Sequence, residues 1–217
     1  AEAVMRQASL LAQRGDLDSG VSLLARAADD SDGDRMKFLL AQSDLLLEGN
    51  RPQQAEALIN EALAQDPDSM DLLFARSMVL DKLNRRAEME RDLKRILELD
   101  PKNANALNAW GYTLADHGER LDEAYSLIKR ALEQSPDNPY ILDSLGWVLY
   151  RKGDLEGAEI YLRRALDLLP DAEVYAHLAE VLHARGRTDE ARAVLREGLK
   201  KSPTDARLLG VQGKLAP

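Results

Sequence analysis

The chain has only three histidines, His117, His177 and His183, and in one short run His177, Glu180 and His183 stand three residues apart on what reads as a single helix. Imidazoles and a carboxylate at that spacing are candidate metal ligands. Such pairs hold metal in helical bundles only when a facing helix brings an equivalent pair. No second pair occurs in the sequence, so the run reads as one polar helix face. The 38 Asp and Glu residues make acid pairs at every spacing, and spacing alone therefore assigns none of them to general acid or base work. With no cysteine in the chain, thiolate nucleophiles, thiolate ligands and disulfides are excluded. No Gly-rich phosphate loop, nucleophile elbow or strand pattern to carry one occurs. No catalytic residue, metal ligand or cofactor is expected, and the chemistry on offer is that of surfaces.

The elements that would build such a surface are helical. The sequence of 217 residues is 45% hydrophobic, yet it has only two Phe and two Trp. Cores of this kind are made from closely packed Ala- and Leu-rich helices. The formal net charge of −9 opposes binding to nucleic acid or to anionic lipid, which both need clustered Lys and Arg. No run approaches the roughly 18 to 20 apolar residues of a membrane span. The first residues, AEAVMRQASLLAQRGD, lack the charged start and apolar stretch of a signal peptide and read as the middle of an amphipathic helix. A fragment of a longer chain is expected, with Val4, Met5, Ala8 and Leu11 left uncovered at its start and available for self-association.

Prolines keep a beat along the chain. Pro67, Pro101, Pro136, Pro170 and Pro203 fall 34, 35, 34 and 33 residues apart, which is the period of a helical repeat. Turn formers at Gly15, Gly49-Asn50, Asn84, Gly118, Gly153 and Gly186 divide each period into two apolar-periodic stretches, so each repeat is a helix, a turn and a second helix. Small residues recur in three ladders at the same period. The first is Ala8, Ser43, Ser77, Gly111, Gly146 and Ala179; the second is Gly20, Ala55, Met89, Ala124, Ala158 and Ala191; the third is Ala27, Ala62, Ile96, Ala131, Ala165 and Gly198. Two helices approach closely only where neither carries bulk, so the ladders mark the contact lines. Met89 and Ile96 break the pattern in the third repeat, whose helices are expected to splay or shift.

The ladder set resembles the tetratricopeptide repeat, whose W-x2-L-G-x2-Y, A-x3-F-x2-A and P pattern is matched by "LDSLGWVLYRKGDLEGAEIYLRRALDLLP". The resemblance implies an all-α solenoid, a right-handed superhelix of six repeats at about 1–35, 36–69, 70–103, 104–138, 139–171 and 172–205, closed by a short helix in a tail at 206–217, the whole forming one domain. It also implies that the first helices of the repeats line a concave groove. Turning about 100° per residue from the small ladder places Phe74, Met78, Asn105, Asn108, Tyr112, Tyr140, Asp143, Trp147, Tyr150, Glu180 and His183 on that groove face. Trp147, Tyr150 and Tyr112 are expected to be its open aromatic centre, since Trp and Tyr dominate binding hot spots. Truncating Trp147 should then weaken binding and spare stability. Trp110, one residue before the small ladder, is expected in the core. Clamping of a partner's terminal carboxylate is disfavoured, because Asp and Glu flank the groove and Lys37 stands alone.

More narrowly, "LNAWGYTLADHGERLDEAYSLIKRALEQSPDNPYILDSLGWVLYRKGDLEGA" and "HLAEVLHARGRTDEA" resemble the C-terminal block of outer-membrane tetratricopeptide lipoproteins of Gram-negative bacteria such as Pseudomonas. That resemblance implies a periplasmic adaptor, tethered in full length through a lipidated cysteine. Its partners would be a carboxyl-terminal processing protease and the cell-wall hydrolases that protease removes. The other reading is a scaffold for a pilus, secretion or outer-membrane assembly. Neither involves nucleic acid or insertion of this segment into a membrane.

Overall fold

The computed structural model describes residues 1–31 and 33–215. Among them are thirteen α-helices, α1 Glu2–Gln13, α2 Leu17–Asp29, α3 Arg35–Glu48, α4 Pro52–Leu63, α5 Met70–Lys82, α6 Arg86–Leu99, α7 Ala104–His117, α8 Leu121–Gln134, α9 Pro139–Lys152, α10 Leu155–Leu168, α11 Ala172–Ala184, α12 Thr188–Lys201 and α13 Ala206–Lys214. They pair in chain order as six antiparallel hairpins followed by α13. The hairpins fall into two compact units, residues Ala1–Pro101 and Lys102–Pro217.

Local signals set the helix ends. Asp16, Asn103, Asn138, Asp154, Asp171 and Asp205 each cap a helix by accepting hydrogen bonds from backbone N–H groups of its first turn, and each cap contributes about 1 kcal/mol. The turn inside each hairpin needs one residue in the left-handed region. Gly15, Gly118, Gly153 and Gly186 supply it in four hairpins, and Asn50 and Asn84 in the other two. In the second hairpin it is therefore Asn50, not Gly49, that makes the reversal. Between its left-handed residue and its second small-ladder residue the fourth hairpin has one residue more than the others. Arg120 absorbs the extra residue at φ 46°, held there by two hydrogen bonds of 2.7 Å to Glu123. That insertion is the origin of the single 35-residue step between prolines.

Every residue of the first two ladders is buried. Their close contact is shown at Gly111, where an added Cβ would lie 2.6 Å from Ile128 Cγ1 and 2.9 Å from the Ala124 carbonyl oxygen. Leu73, Leu107, Leu142, Leu80, Leu114 and Leu182 fill the space beside them, each no more than 3% exposed. Enlarging a ladder residue should therefore strain the hairpin. Ala158→Leu, at a position with no exposed surface, is expected to cost about 1–3 kcal/mol, read as a lower urea midpoint. A variant that unfolds like the parent would misplace the ladder.

Within each unit, ion pairs stitch one hairpin to the next. Arg51 pairs with Asp18, Arg85 with Glu56, Lys152 with Asp122 and Arg187 with Glu159. In each case a cation at or beside the turn reaches an acid on the second helix of the preceding hairpin. Glu159, only 7% exposed, also receives Arg163 and Arg185. Burial would push its carboxyl up, but Arg163 and Arg187 hold it below the usual range.

The third hairpin differs from the others in the residues packed between its helices. Met89 and Ile96 are each 1% exposed. Across the same hairpin Arg76 and Asp92 occupy positions that carry Trp110 and Leu127 in the fourth, and they form a two-armed ion pair at 2.7 and 2.7 Å. A polar cleft opens beside them, lined by Glu56, Asn60, Arg76, Leu80, Arg85, Glu88, Arg91 and Asp92.

The apolar stripe expected to lie uncovered on the first helix is instead packed. Val4, Met5 and Ala12 pack with Ala8, Leu24, Phe38 and Leu45, so the apolar stripe of α1 is spent on α2 and α3. Its open side presents Glu2, Arg6, Gln7, Gln13 and Arg14, with Leu10 the one large apolar residue there, 45% exposed.

Candidate partner-binding site

Unit 2 carries the densest set of residues expected on the groove face. α9 packs against α7 on one side and α11 on the other, and α13 packs against α11. On α9, Tyr140, Asp143, Trp147 and Tyr150 follow one another at three- and four-residue steps and so share a face. On α11, Glu173, His177 and Glu180 do the same, as do Asn105, Asn108 and Tyr112 on α7.

These faces do not lie open. The imidazole of His177 stacks on the indole of Trp147, with ring centroids 4.1 Å apart and planes 17° from parallel. Its Nδ1 lies 3.0 and 3.1 Å from the two carboxylate oxygens of Asp143. Tyr112 reaches across from α7 to donate a 2.6 Å hydrogen bond to Glu173, which also pairs with Arg207 of α13. Lys214, also on α13, pairs with Glu180 at 2.8 Å. Tyr150 lies against the Trp147 ring, centroids 5.1 Å apart. The Arg151 guanidinium sits 5.8 Å from the ring centroid and donates to the Asp116 carbonyl oxygen at 2.6 Å, which ties the end of α9 to the end of α7.

Trp147 is consequently 7% exposed and Asp143 5%. The expectation of an open aromatic centre is corrected here. Position on a helix face gives a direction from that helix axis alone, whereas the cover over Trp147 is His177 on the neighbouring helix α11, with Tyr112 of α7 set against His177 in turn. Trp110 is buried, at 8% exposed, as its place in the ladder predicts. The open part of the face is the rim formed by the early turns of α7 and α9. Tyr140 is 63% exposed, Asn105 is exposed, and Asn108 is half-buried. The Oδ1 of Asn108 and the indole Nε1 of Trp147 are buried with no hydrogen-bond partner among the described residues. His183 is exposed and lies 3.1 Å from the Thr188 hydroxyl. Phe74 and Met78 are half-buried on α5, in unit 1.

His177 and Arg207 were not placed at the site by the sequence. His177 did leave a signal there, since the residue two before the first small ladder is Ala41, Ala75, Ala109 and Ser144 in the four preceding hairpins. A histidine among small residues at an inward position needs a partner. His177, Glu180 and His183 point to three different groups, Asp143, Lys214 and Thr188, and do not converge.

The electrostatics follow from burial and proximity. Burial alone would lower the His177 pKa, but the carboxylates of Asp143, Glu173 and Glu180 hold it above the ordinary histidine value. Burial pushes the Asp143 carboxyl up against the pull of His177. Burial and then the Glu173 charge push the Tyr112 phenol far up, which keeps it a donor at all working pH. Glu173 is held below the usual range, because the Tyr112 hydrogen bond and the Arg207 charge outweigh its burial.

Residues 40–88, 74–139, 119–173 and 144–206 match the tetratricopeptide repeat model. The chain belongs to the tetratricopeptide-repeat family. This tetratricopeptide solenoid is 44% identical over 178 residues, 82% of its length, to a TPR repeat-containing protein of Pseudomonas aeruginosa, of which it spans 30%. Among solved structures it is similar to a thermophilic TPR protein of Thermus thermophilus, with a TM-score of 0.73 and 24% identity over 83% of this chain and 96% of that one. It is also similar to PilW, a type IV pilus biogenesis factor, with a TM-score of 0.71 and 19% identity over 97% of each chain. At those identities the two structures speak for the fold. Tetratricopeptide arrays are scaffolds for protein–protein contact, and no helix among the described residues is long and apolar enough to cross a membrane.

Proposed function

We propose that this chain is the partner-binding portion of a periplasmic adaptor, held at the outer membrane by the longer protein to which it belongs, which brings a carboxyl-terminal processing protease together with its protein substrates. The observation that carries the binding site is the rim of hairpins four and five. There Tyr140, a large aromatic 63% exposed, holds on α9 the place that Asn105 holds on α7, with Asn108 one turn further along α7, on a face whose interior is already packed. A half-open aromatic with amide groups beside it suits a polypeptide segment, since the ring offers area and the amides pair with backbone groups. The protease reading is supported by the resemblance to the lipoprotein adaptors; the 44% identity to the Pseudomonas protein speaks for the shared repeat family and names no partner. The similarity to the pilus factor, at 19% identity, speaks for the fold alone, so the adaptor reading is put first on the sequence resemblance and the pilus scaffold is the second reading.

The test is a photo-crosslinker at Tyr140 in a periplasmic extract, with mass spectrometry of what is caught. A processing protease or wall hydrolase supports the adaptor, and a pilus or secretion subunit would replace it with the scaffold. Tyr140→Ala is expected to weaken the captured complex by about thirtyfold while leaving the thermal midpoint unchanged. Unaltered affinity would move the site off this face.

A further inference from the structure

The packed interior of this same face holds more ionisable groups than a core requires. His177 meets Asp143 and Trp147 of α9. Tyr112 of α7 closes over it, with ring centroids 6.4 Å apart. Glu173 and Glu180 flank it on α11, and they are tied in turn by Arg207 and Lys214 of α13. In the preceding hairpin the place of His177 is filled by Ser144, whose hydroxyl donates 2.9 Å to the Tyr140 carbonyl oxygen of its own helix. The sixth hairpin alone thus covers a tryptophan on its neighbour with a side chain that changes charge.

We infer that His177 is a proton-operated latch that holds the first-helix face of hairpins four to six closed over Trp147. In the protonated state the imidazolium has Asp143 in its plane and the indole against its face, so the ion pair and the cation–π contact both clamp α11 to α9. Removing the proton leaves a neutral ring beside a buried carboxylate, and neither contact keeps its charge. Nothing else holds the indole in place by hydrogen bonding, because its Nε1–H has no acceptor among the described residues. Opening of the cluster would offer that donor a partner's carbonyl. Tyr112–Glu173–Arg207 is the second fastening, and it does not titrate in the same range, because the phenol stays protonated and Glu173 ionised. The carboxylates around His177 place the transition above the ordinary value of 6.5. With Asp143 ionised the closed form is held below that pH and loosens as pH rises through the raised value, while protonation of Asp143, whose carboxyl burial pushes up, removes the ion pair from the acid side. This deepens the reading of the face as the partner site, since the rim at Tyr140 would continue inward to Trp147 only in the unlatched form.

The test needs no partner. Protonated imidazole stacked on an indole quenches its fluorescence by accepting charge from the excited ring. In Trp110→Phe, where Trp147 is the sole indole, emission is expected to rise as the pH is raised through 6.5 and beyond. The acrylamide quenching constant should rise over the same range by about twofold or more as the ring becomes accessible. His177→Gln should abolish both steps. Tyr112→Phe should raise the quenching constant at every pH and keep the step. The unmodified chain should show the same emission step and Trp147→Phe should lack it, which keeps the inference testable if Trp110→Phe folds poorly. A flat profile, a step that survives in His177→Gln, or an emission change with constant acrylamide quenching would each overturn the latch. A failed titration leaves the crosslinking result standing, and a failed crosslink leaves the titration standing.

Discussion

Trp147→Ala is expected to lower the stability of the unit holding hairpins four to six by about 3–5 kcal/mol, the cost of emptying a buried aromatic site. The indole is 7% exposed and touches His177, Tyr150 and the Arg151 guanidinium. Truncation leaves His177 and Asp143 facing a void, so the loss exceeds that of the apolar area alone. Trp147→Phe keeps a ring in the site and should lose less. Urea melts followed by circular dichroism give the comparison, and calorimetry resolves which of the two units has lost its enthalpy. A midpoint shift smaller than about 1 kcal/mol for Trp147→Ala would return the ring to the open surface that its helical position alone predicts.

The second large effect concerns unit 1. Asp92 is 5% exposed and takes both arms of Arg76, whose third nitrogen donates 2.9 Å to Asn60. Asp92→Ala leaves the guanidinium with one weak partner inside a hairpin. Breaking a buried pair by removing one side costs about 3–5 kcal/mol. The Arg76 side chain keeps 28% of its surface in water, so about 2–3 kcal/mol is expected after allowing for that screening. The double change Arg76→Leu with Asp92→Leu should recover most of this, or exceed the parent, because the fourth hairpin fills the same two places with Trp110 and Leu127. A double-mutant cycle reads the coupling directly. If Asp92→Ala alone is neutral, the pair contributes nothing to the hairpin. If the double variant is as weak as the single, the site depends on charge and apolar packing cannot replace it.

Much of the fold was legible because a repeat states each rule six times. The small ladders, the apolar stripes beside them and the left-handed turn residues each recur at one period, and a single exception such as Met89 cannot hide the beat. Details that occur once were harder to read. The shift of the left-handed residue from Gly49 to Asn50 rests on one dipeptide in which either residue would serve, and the Arg120 turn rests on one extra residue. The burial of Trp147 depends on His177 of the next hairpin, itself flanked by Tyr112 and Glu173, two residues bonded to each other across 61 positions of the chain. Helical arithmetic gives the direction of a side chain but not what two other hairpins place above it. His177 and Asp143 looked like two unrelated polar residues until α9 and α11 were laid side by side.

The stitches between neighbouring hairpins bear on how such a chain grows. The second hairpin carries the cation Arg51 at its turn and the acid Glu56 on its second helix, and the fifth carries Lys152 and Glu159 in the same sense. Each of these segments is therefore a head-to-tail joint complete in itself, able to dock on the copy before it and receive the copy after it. A duplication in register would insert a hairpin already fitted to both neighbours, with no compensating change elsewhere in the gene. Loss of one would rejoin a matching cation and acid. Length in such an array is free to drift, while any feature placed on one hairpin alone, such as the histidine of the sixth, has to be kept by selection for what that hairpin does.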